Sequence, residues 1–78
     1  MVKVIKDGKV VMQGRNLEPI LRYQRQRGVH VSSVAQHGKR LSVRYNDGAR
    51  VTTRFADPKV LAGWIVNRQK SGIFPRGR

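Results

Sequence analysis

The chain has 78 residues, enough for one domain with a small core, and carries 17 Lys and Arg against 4 Asp and Glu, a formal net charge of +13. A molecule so charged repels itself and attracts polyanions at long range, so the candidate partners are DNA, RNA, an acidic protein surface or anionic lipid. The absence of cysteine excludes disulfides, thiolate metal sites and a Cys nucleophile.

The first residues, Met1-Val2-Lys3-Val4-Ile5-Lys6, lack the apolar run of about 7–15 residues of a signal peptide, and nothing approaches the ~20 apolar residues of a membrane span. The expectation is a soluble, cytoplasmic protein with no membrane partner. The same opening stretch, then Asp7-Gly8, then Lys9-Val10-Val11-Met12-Gln13, predicts a hairpin, because β-branched residues flank an Asp-Gly turn. Both of its faces carry apolar residues, which leaves its register open.

Gly14-Arg15-Asn16 breaks that strand, and Asn16 is placed to cap a helix over residues 17–27, closed by Gly28. At ~100° per residue Leu17, Ile20, Leu21 and Gln24 form the inward stripe, while Arg15, Arg22, Arg25 and Gln26 point away and give the helix a basic outer face. Residues 29–37 read as a third strand, with a slip in alternation at Ser32-Ser33 that either a bulge or a plain strand with two half-buried faces would accommodate. Gly38-Lys39 turns it into a fourth.

The fourth and fifth strands are the most informative part of the chain. Arg40-Leu41-Ser42-Val43-Arg44-Tyr45 runs through Asn46-Asp47-Gly48 into Ala49-Arg50-Val51-Thr52-Thr53-Arg54-Phe55. Asn-Asp-Gly suits a three-residue loop closed by glycine in the left-handed region, which puts Tyr45 opposite Ala49, Val43 opposite Val51 and Leu41 opposite Thr53. Arg44 then faces Arg50 and Arg40 faces Arg54, on the other side, around Ser42 and Thr52. A two-residue loop at Asp47-Gly48 would slide the strand by one residue and exchange its faces. The three-residue loop is preferred because it gathers the apolar residues on one side. Like charges directly across a strand pair destabilise a sheet, so a grid of four makes sense if a polyanion neutralises it, although arginines on a solvated strand face are also ordinary surface residues.

Asp57-Pro58 starts a second helix, with aspartate as N-cap and proline at the first helical position. Val60, Leu61, Trp64 and Ile65 are its expected buried face, Lys59 and Lys70 point outward, and Gly72 stops it. Gly63 in mid-helix suggests a close backbone contact. Residues 73–78 read as a basic tail after a single domain over residues 1–72, with two outcomes open: the tail arginines reach a minor groove or phosphate, or Ile73 and Phe74 fold back on the core. The sum is an α+β protein with strand and helix order ββαβββα and both helices on one face of an antiparallel sheet. A shift of 40 residues lays Asp7-Gly8 on Asp47-Gly48 and Ile20-Leu21 on Val60-Leu61, a faint echo of two strand-strand-helix units.

Little in the chain points to catalysis. Asp7 and Asp47 make turns, Asp57 caps a helix, and Glu18 favours a first helical turn and is placed to pair with Arg22, which leaves no carboxylate pair for acid–base work. There is no glycine-rich phosphate loop and no zinc spacing, so no cofactor or metal is expected. His30 and His37 with nearby lysines raise a ribonuclease reading, but a polar turn flank explains His37 more simply. Trp64 fits the core at its helical spacing, and Tyr23 and Tyr45 are thin material for base stacking, so duplex contact fits better than single-strand binding.

Gly14-Arg15-Asn16-Leu17, Ile20-Leu21, Tyr23, Tyr45, Asp47-Gly48-Ala49, Phe55-Ala56, Val60-Leu61 and Trp64 resemble, over residues 2–70, short uncharacterised proteins of tailed phages and prophages. The resemblance implies a phage context and host cytoplasm and carries no mechanism. The last three strands and helix are also similar in arrangement to phage integrase arm-binding and plant AP2-type domains, which read DNA from a three-stranded sheet. This chain differs in its leading hairpin and helix, and arrangement alone does not confer function.

The resulting expectation is a non-enzymatic, phage-type nucleic-acid-binding protein that meets DNA or RNA, duplex DNA by preference. Its expected site is Arg40, Arg44, Arg50 and Arg54 with Ser42 and Thr52 between them, flanked by Lys39 and Lys9, with Arg22 and Arg25 as a second basic face. The alternative is a phage-encoded inhibitor that docks on an acidic host protein.

Overall fold

Seven elements carry the chain. They are β1 (Val2–Lys6), β2 (Lys9–Gly14), α1 (Leu17–Gln26), β3 (Val31–His37), β4 (Arg40–Tyr45), β5 (Arg50–Arg54) and α2 (Pro58–Lys70). The structure, a computed structural model, describes residues 1–75, so Arg76 and Arg78 of the expected tail lie outside the described residues. The strands form one antiparallel sheet in the order β2-β1-β5-β4-β3, an α+β architecture with the chain order ββαβββα.

Two hairpins of different chemistry set the sheet. At the first, Asp7 and Gly8 both have positive φ, 55° and 76°, as a two-residue turn with a matching twist requires. The open register of this hairpin is resolved by a bulge. Val4 pairs with Met12 and Ile5 with Val10, so Val11 is an extra residue, and Val10 and Met12 point to opposite faces. At the second, Gly48 has φ 90°, Tyr45 N donates to Ala49 O at 2.9 Å, and the Asp47 carboxylate accepts from Ala49 N at 2.9 Å. This is the three-residue loop, and it fixes Val43↔Val51, Leu41↔Thr53 and both arginine pairs as expected.

One face of the sheet is the core. Val2, Val4, Leu41, Val43, Tyr45 and Val51 are buried in a single cluster that also takes Ile20 and Leu21 from α1 and Leu61 from α2. The helices touch each other as well. The Glu18 carboxylate accepts from Trp64 Nε1 at 3.2 Å and from the Arg68 guanidinium, in place of the expected local pairing with Arg22. Of the two readings at Ser32-Ser33 the bulge is the one formed, with Val31 opposite Tyr45 and Ser33 opposite Arg44, and Ser32 Oγ donates to the Arg44 carbonyl. It turns both Val31 and Val34 toward the core, while the strand itself starts at Val31, two residues later than its sequence suggests.

The helix ends follow local chemistry with one exception. Asp57 accepts from Lys59 N at 2.8 Å and Pro58 opens α2, but the Asn16 side chain makes no capping bond to α1. Gln24 is buried yet satisfied, accepting from Arg27 Nη1 at 2.9 Å. In α2 the inward stripe is Leu61, Trp64, Ile65 and Arg68, at positions i, i+3, i+4 and i+7, and Val60 falls outside it at 59% exposure. Trp64 is half-buried, between Phe55 at 5.6 Å and Phe74 at 5.3 Å.

Beyond α2, Gly72 with φ 80° reverses the chain. Ile73 N and Phe74 N both donate to the Arg68 carbonyl, and Phe74 is buried. Ile73 and Phe74 therefore belong to the core, and of the two outcomes left open for them the fold takes the inward one. The two strand-strand-helix units sit side by side in the sheet, yet their equivalent positions differ, since Ile20 is buried and Val60 is not.

A Cβ added at Gly63 meets nothing within 4 Å, so the expected close backbone contact is absent. Gly63→Ala is then predicted to stabilise the fold by about 0.5–1 kcal/mol through helix propensity and reduced unfolded-chain freedom, read as a rise in the urea midpoint at constant slope. Tyr45 supplies a second test. Burial, and secondarily the Asp47 carboxylate, push its phenol up to about 12, and its hydroxyl has no hydrogen-bond partner among the described residues. Below pH 10 the phenol is neutral in both states; from there to about 12 only the unfolded chain ionises, so stability falls through that window. Tyr45→Phe is expected to remove about 1–3 kcal/mol of that alkaline loss while leaving neutral-pH stability unchanged or raised. Every other side chain is common to both proteins, so the difference between the two pH–stability curves isolates Tyr45.

Candidate functional site

Alternation along β4 and β5 decides where the arginines go. Leu41, Val43, Val51 and Tyr45 face the core, so Arg40, Arg44, Arg50 and Arg54 project from the opposite side of the sheet, and all four are exposed. Arg44 stands directly across from Arg50, Arg40 from Arg54, and half-buried Ser42 from half-buried Thr52 between them. Four residues along a strand span about 13 Å, which separates the two pairs, while partners across the ladder stand about 5 Å apart. The result is a rectangle of positive charge with hydroxyls in the middle.

None of its four arginines is in an ion pair among the described residues. The two ion pairs among the described residues are Lys6–Asp47 and Glu18–Arg68, and neither touches the rectangle. Of the other two carboxylates, Asp57 caps α2, while Asp7 stands in the β1–β2 turn at the Arg44–Arg50 end of the rectangle and makes no ion pair among the described residues. A shallow recess of about 410 Å³ lies at the Arg44–Arg50 end, with Ile5, Asp7, Ser32 and Gly48 on its walls. A second of about 320 Å³ surrounds Arg40 and Arg54, with Met1, Lys3 and Thr52.

The neighbouring strands widen the surface. Lys3 pairs with Thr52 and Gln13 and so lies in the hydroxyl row. Ser33, Ala35 and His37 continue the rows onto β3, opposite Arg44, Ser42 and Arg40. Lys3 and His37 were not foreseen in this role. The signal for Lys3 was the alternation Val2, Lys3, Val4, readable only once Val2 and Val4 are known to be core. The row through Arg50 ends instead on apolar residues, half-buried Ile5 and exposed Val10.

The remaining expected residues divide. Lys39 lies in the β3–β4 turn beside Arg40, exposed, with its carbonyl accepting from Phe55 N. Lys9 pairs with Lys6, whose ammonium reaches Asp47 at 3.7 Å, so by strand parity Lys9 leaves the hairpin on the core side and does not flank the rectangle. Arg22 and Arg25 are exposed on α1, in the helix layer, and line a recess of about 230 Å³ with Glu18, Arg68 and Ile73. The rectangle itself holds no aromatic ring. Tyr45 is buried on the other face, and Tyr23, 46% exposed on α1, lies under the Arg27 guanidinium.

Comparison with protein-family models, with curated proteins and with solved structures gives no match, so nothing in them bears on the resemblance to phage proteins or to integrase arm-binding domains.

Two facing like-charge pairs make stability and polyanion affinity pull in opposite directions. Arg50→Glu would turn the Arg44 pair into an attractive one, and it is predicted to stabilise the free protein by about 0.2–1 kcal/mol while weakening heparin retention. Thermal melts alongside heparin-column elution check both signs; loss of stability together with unchanged retention would show that the pair is neither strained nor exposed to ligand.

Proposed function

We propose that the protein binds nucleic acid through the strand face bearing Arg40, Arg44, Arg50 and Arg54, acting as a binding protein and not as an enzyme. The observation that carries this reading is the rectangle itself: four guanidinium groups in two cross-strand pairs, all exposed, none of them in an ion pair among the described residues. Guanidinium forks match phosphate oxygens and release condensed counterions, and the Ser42 and Thr52 hydroxyls add donors between them. Lys39 and Lys3 extend the positive surface along its margin.

Duplex is the favoured form. The strand face has no ring on which an unstacked base would lie, which single-strand binders require. The ~13 Å between arginine pairs is close to the ~12 Å width of the B-DNA major groove, so each pair reaches one flanking backbone while the hydroxyl row faces the groove. The proposed setting is the cytoplasm of a phage-infected host.

Counterion release makes the affinity of such a surface fall steeply with salt. For duplex DNA, Arg44→Ala with Arg50→Ala is expected to flatten the slope of log K against log salt by about 1.8, the value for two phosphate contacts. Gel-shift titrations of duplex DNA, single-stranded DNA and RNA at several salt concentrations measure it. An unchanged slope in the double variant rejects the rectangle as the site, and recovery of one stoichiometric protein from nuclease-treated lysate favours the acidic-protein alternative.

A further inference from the structure

The helix layer carries a second set of cations that make no ion pair among the described residues. Arg15 before α1, Arg22 and Arg25 on α1, and Lys59 and Lys70 on α2 are all exposed. The carboxylates nearest to them are occupied: Glu18 accepts from Arg68 and Trp64, and Asp57 accepts from the Lys59 amide. Helical spacing turns these cations outward, because Ile20, Leu21 and Gln24 of α1 and Leu61 of α2 fill the inward positions.

This set and the rectangle look in opposite directions. Strand alternation sends the rectangle away from the core, and both helices contribute their buried residues to that core from the other side. A single duplex seated on the strand face therefore leaves Arg22, Arg25, Lys59 and Lys70 free. The thinnest dimension of the molecule, measured between Cα atoms, is 20 Å. Electrostatic screening decays over about 8 Å at physiological ionic strength. Two duplexes held on the two faces would stand more than two screening lengths apart, with a net charge of +13 between them. Their mutual repulsion is thus small beside the attraction each feels for the protein.

Resting on the reading of the strand face as a nucleic-acid surface, we propose that one molecule binds two duplex segments at once, one on the strand face and one across the helix layer, and so bridges them. The second segment is recognised by charge alone, since the helix layer presents phosphate-seeking cations and no row of hydroxyls.

The test is capture of a second duplex. Full-length protein is titrated onto a bead-bound duplex, and retention of a free, fluorescent duplex of unrelated sequence is measured beside ordinary gel shifts. Wild type is expected to retain the free duplex, in complexes of one protein and two short duplexes by sedimentation. Arg22→Ala with Arg25→Ala, and separately Lys59→Ala with Lys70→Ala, are expected to gel-shift one duplex as wild type does yet to retain roughly tenfold less of the second. All four residues are exposed, and melting curves of both variants verify the fold. Gel shift without retention by wild type overturns bridging and leaves the strand-face reading intact. Full retention by both folded variants, or bridged complexes holding two proteins, also overturns it. No gel shift at all removes the strand-face reading and bridging together.

Discussion

The register of the β4–β5 hairpin is the constraint on which the rest of this molecule depends. Gly48 alone in that loop takes positive φ, and the Asp47 carboxylate holds the Ala49 amide, so three residues and not two separate the strands. Sliding β5 by a single residue would send Val51 outward and Arg50 into the core, at a cost of several kcal/mol for an unpaired buried cation. Burial of Val43 and Val51 and exposure of the arginines are thus one fact seen from two sides. The repulsion across the ladder is tolerated because guanidinium groups on a solvated face are well screened, whereas the apolar pairs behind them are fully dry.

That division of labour organises the charge of the whole chain. Three of the four side-chain carboxylates act on the scaffold: Asp47 holds its hairpin loop, Asp57 caps α2, and Glu18 joins the helices through Trp64 and Arg68. Consuming the acids in turns, caps and one interhelical link leaves cations in excess over both outer surfaces. A compact domain of this size has few interior positions for them. Arg68, the one cation on the inward stripe of α2, lies against the Trp64 ring at 5.0 Å and on Glu18.

Local signals were legible in the sequence, and distant ones were not. Asn46-Asp47-Gly48 admitted two loops, and the apolar alternation of β4 and β5 chose the three-residue one and with it every pair of the ladder; Asp57-Pro58 dictated the start of α2; the stutter at Ser32-Ser33 admitted a bulge. Each of these rests on interactions within a few residues. Glu18 finds its partners 46 and 50 residues away, and no spacing rule selects them over Arg22. Val60 has the composition of a core residue but lies about 100° from Leu61, and the inward position goes to Arg68. Phe74 is held inside by a chain reversal at Gly72 and by the ring of Trp64, a tertiary contact that a short tail does not announce. Lys3 stayed hidden because the first hairpin is apolar on both sides, and only the extra residue at Val11 sorts its faces.

The two bulges share a location. Val11 interrupts β2 and Ser32 interrupts β3, and these are the outermost strands of the sheet. An unbroken outer strand offers a continuous row of free amides and carbonyls onto which another chain can zip, and a kink in that row spoils the match. A cationic domain that crowds along a polyanion raises its own local concentration far above that in free solution. Irregular margins on both flanks oppose edge-to-edge pairing between copies of such a domain.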